Sequence, residues 1–83
     1  MEVSGGLRTM QHEDGAAVLN IRRGIISTFN ETGAYIWDAL QRGDSVEAIV
    51  AKLAHETGVA TDVVEADVIA FLNDLKRHNL LSA

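Results

Sequence analysis

The residues of this chain that could do chemistry are few, and their spacing argues against catalysis. His12, His55 and His78 are far apart and show no metal-ligand spacing, so they read as solvent-facing side chains rather than ligands. Ser27 and Thr28 have no neighbouring base, and nothing around them forms a nucleophile elbow. Gly5-Gly6 lacks the lysine and helix start that a phosphate-binding loop needs. Asp62, Glu65 and Asp67 cluster early in a helical stretch, where the positive end of the helix dipole accounts for them without acid/base work. The chain contains no cysteine, which excludes disulfides and thiolate metal sites. These residues imply no enzyme activity, no catalytic residues, no metal and no cofactor.

The chemistry left is that of surfaces, and it must be positioned by one small domain. Eighty-three residues, 47 % of them hydrophobic, suffice for a single core. The net charge of −5, with basic pairs only at Arg22-Arg23 and Lys76-Arg77, argues against a nucleic-acid partner, which would require a basic stripe. No signal peptide is visible at the start, and no apolar run approaches membrane-spanning length. A cytoplasmic protein without a membrane partner is the expectation.

Along the chain, residues 1–6, with Ser4-Gly5-Gly6, read as a flexible start to a single domain over 1–83. Residues 7–13 alternate weakly as a first strand, and Glu13-Asp14-Gly15 is a turn. Residues 16–21 give a second strand. Arg22-Arg23-Gly24 forms a hairpin connection, and residues 25–29, rich in β-branched side chains, give a third. Asn30 is a good N-cap for a helix ending near Arg42-Gly43, with Trp37 at the centre of the core. Asp44-Ser45 starts a second helix whose apolar stripe is Val46, Ile49, Val50, Leu53 and Ala54. Gly58 stops it, and Thr61 is expected to cap a third helix that ends at Asn79. Leu80-Leu81 should fold back on the core. Strands followed by helices indicate an α+β fold, here with the look of a winged helix-turn-helix: a three-stranded antiparallel sheet and then three helices.

Two features point to binding. The stretch Ile25-Ile26-Ser27-Thr28-Phe29 carries no charge or proline to blunt an exposed edge, so it is either a central strand or an edge kept open. The third helix is apolar around most of its circumference, with Val64, Val68, Phe71, Leu72 and Leu75 on one stripe and Val63, Ala66, Ile69 and Ala70 on the other flank. An open strand beside an apolar helix makes a groove for an extended peptide.

Gly24 to Asn30 followed by Thr32-Gly33-Ala34 and Ile36-Trp37 resembles the "G…(L/F)N-x-T-G-x-x-I-W" segment of PqqD-like proteins. Ser45-Val46-Glu47-Ala48-Ile49 is similar to the start of their second helix, and Asp67-Val68, Phe71-Leu72, Leu75 and Leu80-Leu81 to their ending. The resemblance, which spans about residues 7 to 81, implies a recognition element for ribosomally made, post-translationally modified peptides. It implies that the leader segment of a precursor peptide adds as a strand to the third strand (Gly24, Ile25, Ile26, Ser27, Thr28 and Phe29), against the third helix (Val64, Asp67, Val68, Phe71 and Leu75). An aromatic residue and a proline of the leader would be its anchors. The second partner implied is a separate leader peptidase of a lasso-peptide cluster, or another modifying enzyme. Three alternatives stand beside this reading. They are a peptide chaperone for pyrroloquinoline quinone acting with a radical SAM enzyme, a winged-helix DNA-binding regulator, and a homodimer formed through the open strand edge.

Overall fold

A computed structural model of the chain describes residues 2–3 and 5–82. Eight elements follow one another: β1 (Glu2–Val3), β2 (Leu7–His12), β3 (Gly15–Asn20), β4 (Ile25–Phe29), α1 (Glu31–Gln41), α2 (Val46–Thr57), α3 (Thr61–Arg77) and β5 (Leu81–Ser82). The expected strands and helices are all present, within a residue or two of their expected ends. Helices α1, α2 and α3 follow an antiparallel sheet of order β2-β3-β4, which makes the fold α+β.

One addition was not legible. Glu2 and Val3, expected to be flexible with the rest of residues 1–6, pair with Ser82 and Leu81 in a second, two-stranded sheet. Met1 and Ser4, which shared that expectation, lie outside the described residues. A pairing of two residues between the chain ends leaves no periodic signal in either segment.

Local chemistry explains the turns. Glu13 and Asp14 alone connect β2 to β3. The β3–β4 turn is closed by Gly24 N–H donating to the Asn20 carbonyl at 2.8 Å, and Gly24 has φ of 65°. That left-handed angle suits glycine. The Asn20 side chain, itself buried, accepts from Arg23 N–H in the same turn.

The helix starts differ in quality. Asn30 Oδ1 accepts from Gly33 N–H at 2.9 Å and Ser45 Oγ from Ala48 N–H at 3.1 Å, so α1 and α2 have the side-chain caps their sequences promise. Thr61 does not cap α3. It is the first helical residue, and Ala60 precedes it as the N-cap without a capping side chain, while Asp62 Oδ1 accepts from Val63 N–H at 3.0 Å in the first turn. The chain enters α3 one residue early because the Ala60 carbonyl already accepts from Val63 and Val64 N–H. Asn79, with φ of 60°, turns the chain back after α3.

The core lies between one face of the sheet and the three helices. Trp37 is fully buried at its centre, with Val18, Ile36, Ile49, Val68, Leu75 and Leu80 around it. Its indole N–H donates to Thr9 Oγ1 at 2.9 Å, which joins α1 to β2 and satisfies a donor that burial would otherwise strand. Leu80 and Leu81 are both buried, as expected of a segment folding back on the core.

Candidate functional site

Strand β4 is an edge. Among the described residues its one neighbour is β3, with Ala16 opposite Phe29, Val18 opposite Ser27 and Asn20 opposite Ile25. The parity of the ladder says which backbone groups are used. The two-residue turn at Glu13-Asp14 makes His12 and Gly15 a hydrogen-bonded pair, and bonded pairs alternate with non-bonded ones along an antiparallel ladder. Ala17 and Leu19 therefore bond toward β2, while Ala16, Val18 and Asn20 bond toward β4. It follows that Ile25, Ser27 and Phe29 spend their amides and carbonyls on β3. Ile26 and Thr28 direct theirs outward, and a further extended segment would find two donors and two acceptors there.

The inner face of β4 continues onto helices. Phe29 is half-buried, with its ring 5.8 Å from that of Trp37 and 5.2 Å, edge to face, from that of Phe71 on α3. Phe71 is half-buried too, and it lies over Gly33 of α1. A Cβ at Gly33 would stand 3.0 Å from the Phe71 ring and 3.1 Å from Phe29 Cβ. This close approach of helix and ring is what the glycine of the Asn30-Glu31-Thr32-Gly33 segment permits. Beside it, Val64, Asp67 and Val68 of α3 line an apolar cavity with Thr32 and Ile36 of α1, and Leu53, Thr57 and Val59 close its far side.

The sequence-derived site residues thus separate into three groups. Gly24, Ile25, Ile26 and Thr28 are exposed, and Ser27 and Phe29 half-buried, along the open strand and its turn. Val64, Asp67, Val68 and Phe71 converge on the junction of α1 and α3 next to the end of that strand. Leu75 does not join them: Val68 is equally buried, at 1 % exposed, but lines the cavity, whereas Leu75 lies in the core two turns of helix beyond it. Thr32, Ile36, Leu53, Thr57 and Val59 were not singled out for this cavity. Thr32 and Ile36 stand in the very segment that carries the family resemblance, and they are the two that sequence could have supplied. No group of three or more potential metal-ligating side chains occurs among the described residues.

The model of the family described as "Coenzyme PQQ synthesis protein D (PqqD)" matches residues 15–81, most of the chain. The chain belongs to the PqqD family. No curated protein matches it. Among solved structures, "TbiB1 in Complex with the TbiA(beta) Leader Peptide" is similar with 28 % sequence identity and a TM-score of 0.94, over 100 % of this chain and 96 % of that one. "Lasso peptide synthetase B1 complexed with the leader peptide" is similar with 24 % identity and a TM-score of 0.91, over 99 % and 96 % of the two chains. At that identity the second supports the fold alone. In this PqqD-family chain the matched residues run from the start of β3 to the start of β5, so they take in the open strand, the Phe29–Phe71 contact and the cavity beside it.

Proposed function

We propose that the chain is a non-catalytic, cytoplasmic adaptor that binds the leader segment of a ribosomally made precursor peptide and delivers it to a separate processing enzyme. The leader adds to β4 as a fourth strand, and the enzyme is the leader peptidase of a lasso-peptide cluster. The observation that carries this reading is the open β4 edge, with Ile26 and Thr28 unpaired toward it, lying against the Phe29–Phe71 contact. The similar structure at 28 % identity, described as a complex with a leader peptide, supports the choice of ligand.

Magnitudes say how the affinity is divided. Fixing a six-residue peptide costs roughly 1–2 kcal/mol per residue. The four outward groups of Ile26 and Thr28 return about 0.5–1.5 kcal/mol per hydrogen bond. Backbone pairing at best offsets part of the ordering cost. Buried anchors worth roughly 1.5–3 kcal/mol each must supply the rest. Val64, Asp67 and Val68 line an apolar recess between α1 and α3 that can receive them, and Phe71, one turn further along α3, stands between that recess and Phe29 of the strand.

Fluorescence polarisation with a labelled leader peptide encoded beside the gene tests the reading. Saturable binding that Phe71→Ala weakens by more than ~1 kcal/mol is expected. Undetectable binding to every such leader would contradict it. The family description names coenzyme PQQ synthesis, which supports a second version of the reading: a peptide chaperone in that pathway, with a radical SAM enzyme as the partner. Binding to that pathway's precursor, and not to a lasso precursor, would select it.

A further inference from the structure

A polar recess at one end of the sheet is used by neither the core nor the groove. It measures about 410 Å³ and lies between the β2–β3 turn and one side of α1, lined by Gln11, His12, Glu13, Glu31, Tyr35 and Asp38. That volume is in the range of ligand clefts. Glu31, Tyr35 and Asp38 stand at i, i+4 and i+7, so α1 presents them as one stripe.

The lining has the chemistry of a cation receptor. Every one of its side chains that is charged at neutral pH is a carboxylate. Asp38 pairs with Arg42, while Glu13 and Glu31 form no ion pair among the described residues. The groups do not gather closely enough to hold a metal ion, since no set of three potential ligands occurs among the described residues. An ammonium or guanidinium group, with several N–H donors on a long stem, suits carboxylates spread around a recess. Tyr35 adds a separate sign of a missing donor. Its hydroxyl oxygen is the one buried side-chain polar atom without a hydrogen-bond partner among the described residues.

Position says whose cation this is. Gly15 also lines the recess and packs on the Phe29 carbonyl oxygen and on Asn30, so the recess begins where the open strand ends. From a strand added to β4 across to β3, where Gly15 borders the recess, is two strand spacings, about 10 Å, which roughly three extended residues cover. A peptide paired along β4 therefore brings the residues just beyond Phe29 to Glu31 and Glu13. Its other flank leaves over the Arg22-Arg23-Gly24 turn, where a positive charge is opposed.

We infer that this recess receives a lysine or arginine side chain of the leader, from the flank that leaves β4 at Phe29, and so selects leaders that are basic on that flank. The inference rests on the adaptor reading above, and its test separates the two. The leader encoded beside the gene is labelled and made with Lys-Lys or Gln-Gln at two adjacent residues about three positions outside the paired segment. One series carries the change on one flank and a second series on the other, so the direction of the added strand need not be known. All are titrated by fluorescence polarisation into the full chain and into E13Q/E31Q. Lys-Lys should bind wild type at least ~5-fold tighter than Gln-Gln on one flank only. In E13Q/E31Q that gain should shrink below ~2-fold while the Gln-Gln affinity holds. An equal gain on both flanks is the general attraction of an acidic protein for a basic peptide, and overturns the inference. No gain at all, or a gain that survives in E13Q/E31Q, overturns it too, and in each case the adaptor reading stands. Should no version bind wild type, the adaptor reading fails and this inference with it. If E13Q/E31Q does not fold, E13Q alone, in the exposed turn, should at least halve the gain, and an unchanged gain overturns the assignment.

Discussion

Single residues already separate what the fold needs from what the site needs. Gly15 belongs to the fold: its φ is 149°, and a Cβ there would overlap the Phe29 carbonyl oxygen. Gly15→Ala is expected to cost about 2 kcal/mol or more, read as a lowered urea midpoint, because backbone strain and steric overlap both oppose it. Substitution without loss would mean the hairpin can shift. Tyr35 is the converse case. Its hydroxyl is buried and has no hydrogen-bond partner among the described residues, while Lys52 Nζ sits 5.9 Å from the ring centre. Tyr35→Phe removes a desolvated, unpaired group and keeps the ring, so stability should rise by up to ~1 kcal/mol in the same denaturation experiment. A clear loss would reveal a partner for that oxygen. Phe71 belongs to the proposed site, where it lies half-buried over Gly33, and Phe71→Ala is expected to weaken leader binding by more than ~1 kcal/mol in fluorescence polarisation on protein that keeps its circular dichroism.

At the scale of elements, the open strand asks which amides are free. Composition shows an unblunted β-branched run at 25–29, and that is enough to mark an edge worth attention. It does not show parity, because parity is set two strands away by the length of the Glu13-Asp14 turn. Once parity is known, a proline scan becomes decisive. Ser27→Pro removes an amide that bonds to β3 and should unfold the sheet. Thr28→Pro removes an outward amide, which edge strands tolerate, so the protein should keep its circular dichroism. Helix α3 was legible in its stripe and less so in its roles. Val64, Val68 and Leu75 share one helical face, yet Leu75 is consumed by the core while Val64 and Val68 also line the cavity. Periodicity identifies a face, whereas the division of that face between core and recess depends on where α1 and α2 cross it. The cap of α3 was misplaced by one residue, since Thr61 and Ala60 differ only in which of them already has helical backbone angles.

For the whole molecule, the arrangement leaves the edge of one sheet open and backs it with aromatic side chains from a strand and two helices. The core that holds this edge rigid was largely readable: Trp37, the α2 stripe and Leu80-Leu81 are buried as their spacing suggests. The pairing of the chain ends through β1 and β5 was not, because two-residue strands carry no pattern. The central claim is that a leader peptide joins the sheet through the outward groups of Ile26 and Thr28. Its most direct test is the leader affinity of Thr28→Pro, measured by fluorescence polarisation on protein whose circular dichroism matches wild type. The account predicts a loss of at least ~10-fold, since one ladder bond and the close approach of the added strand go together. A folded Thr28→Pro that binds the leader as tightly as wild type would contradict it.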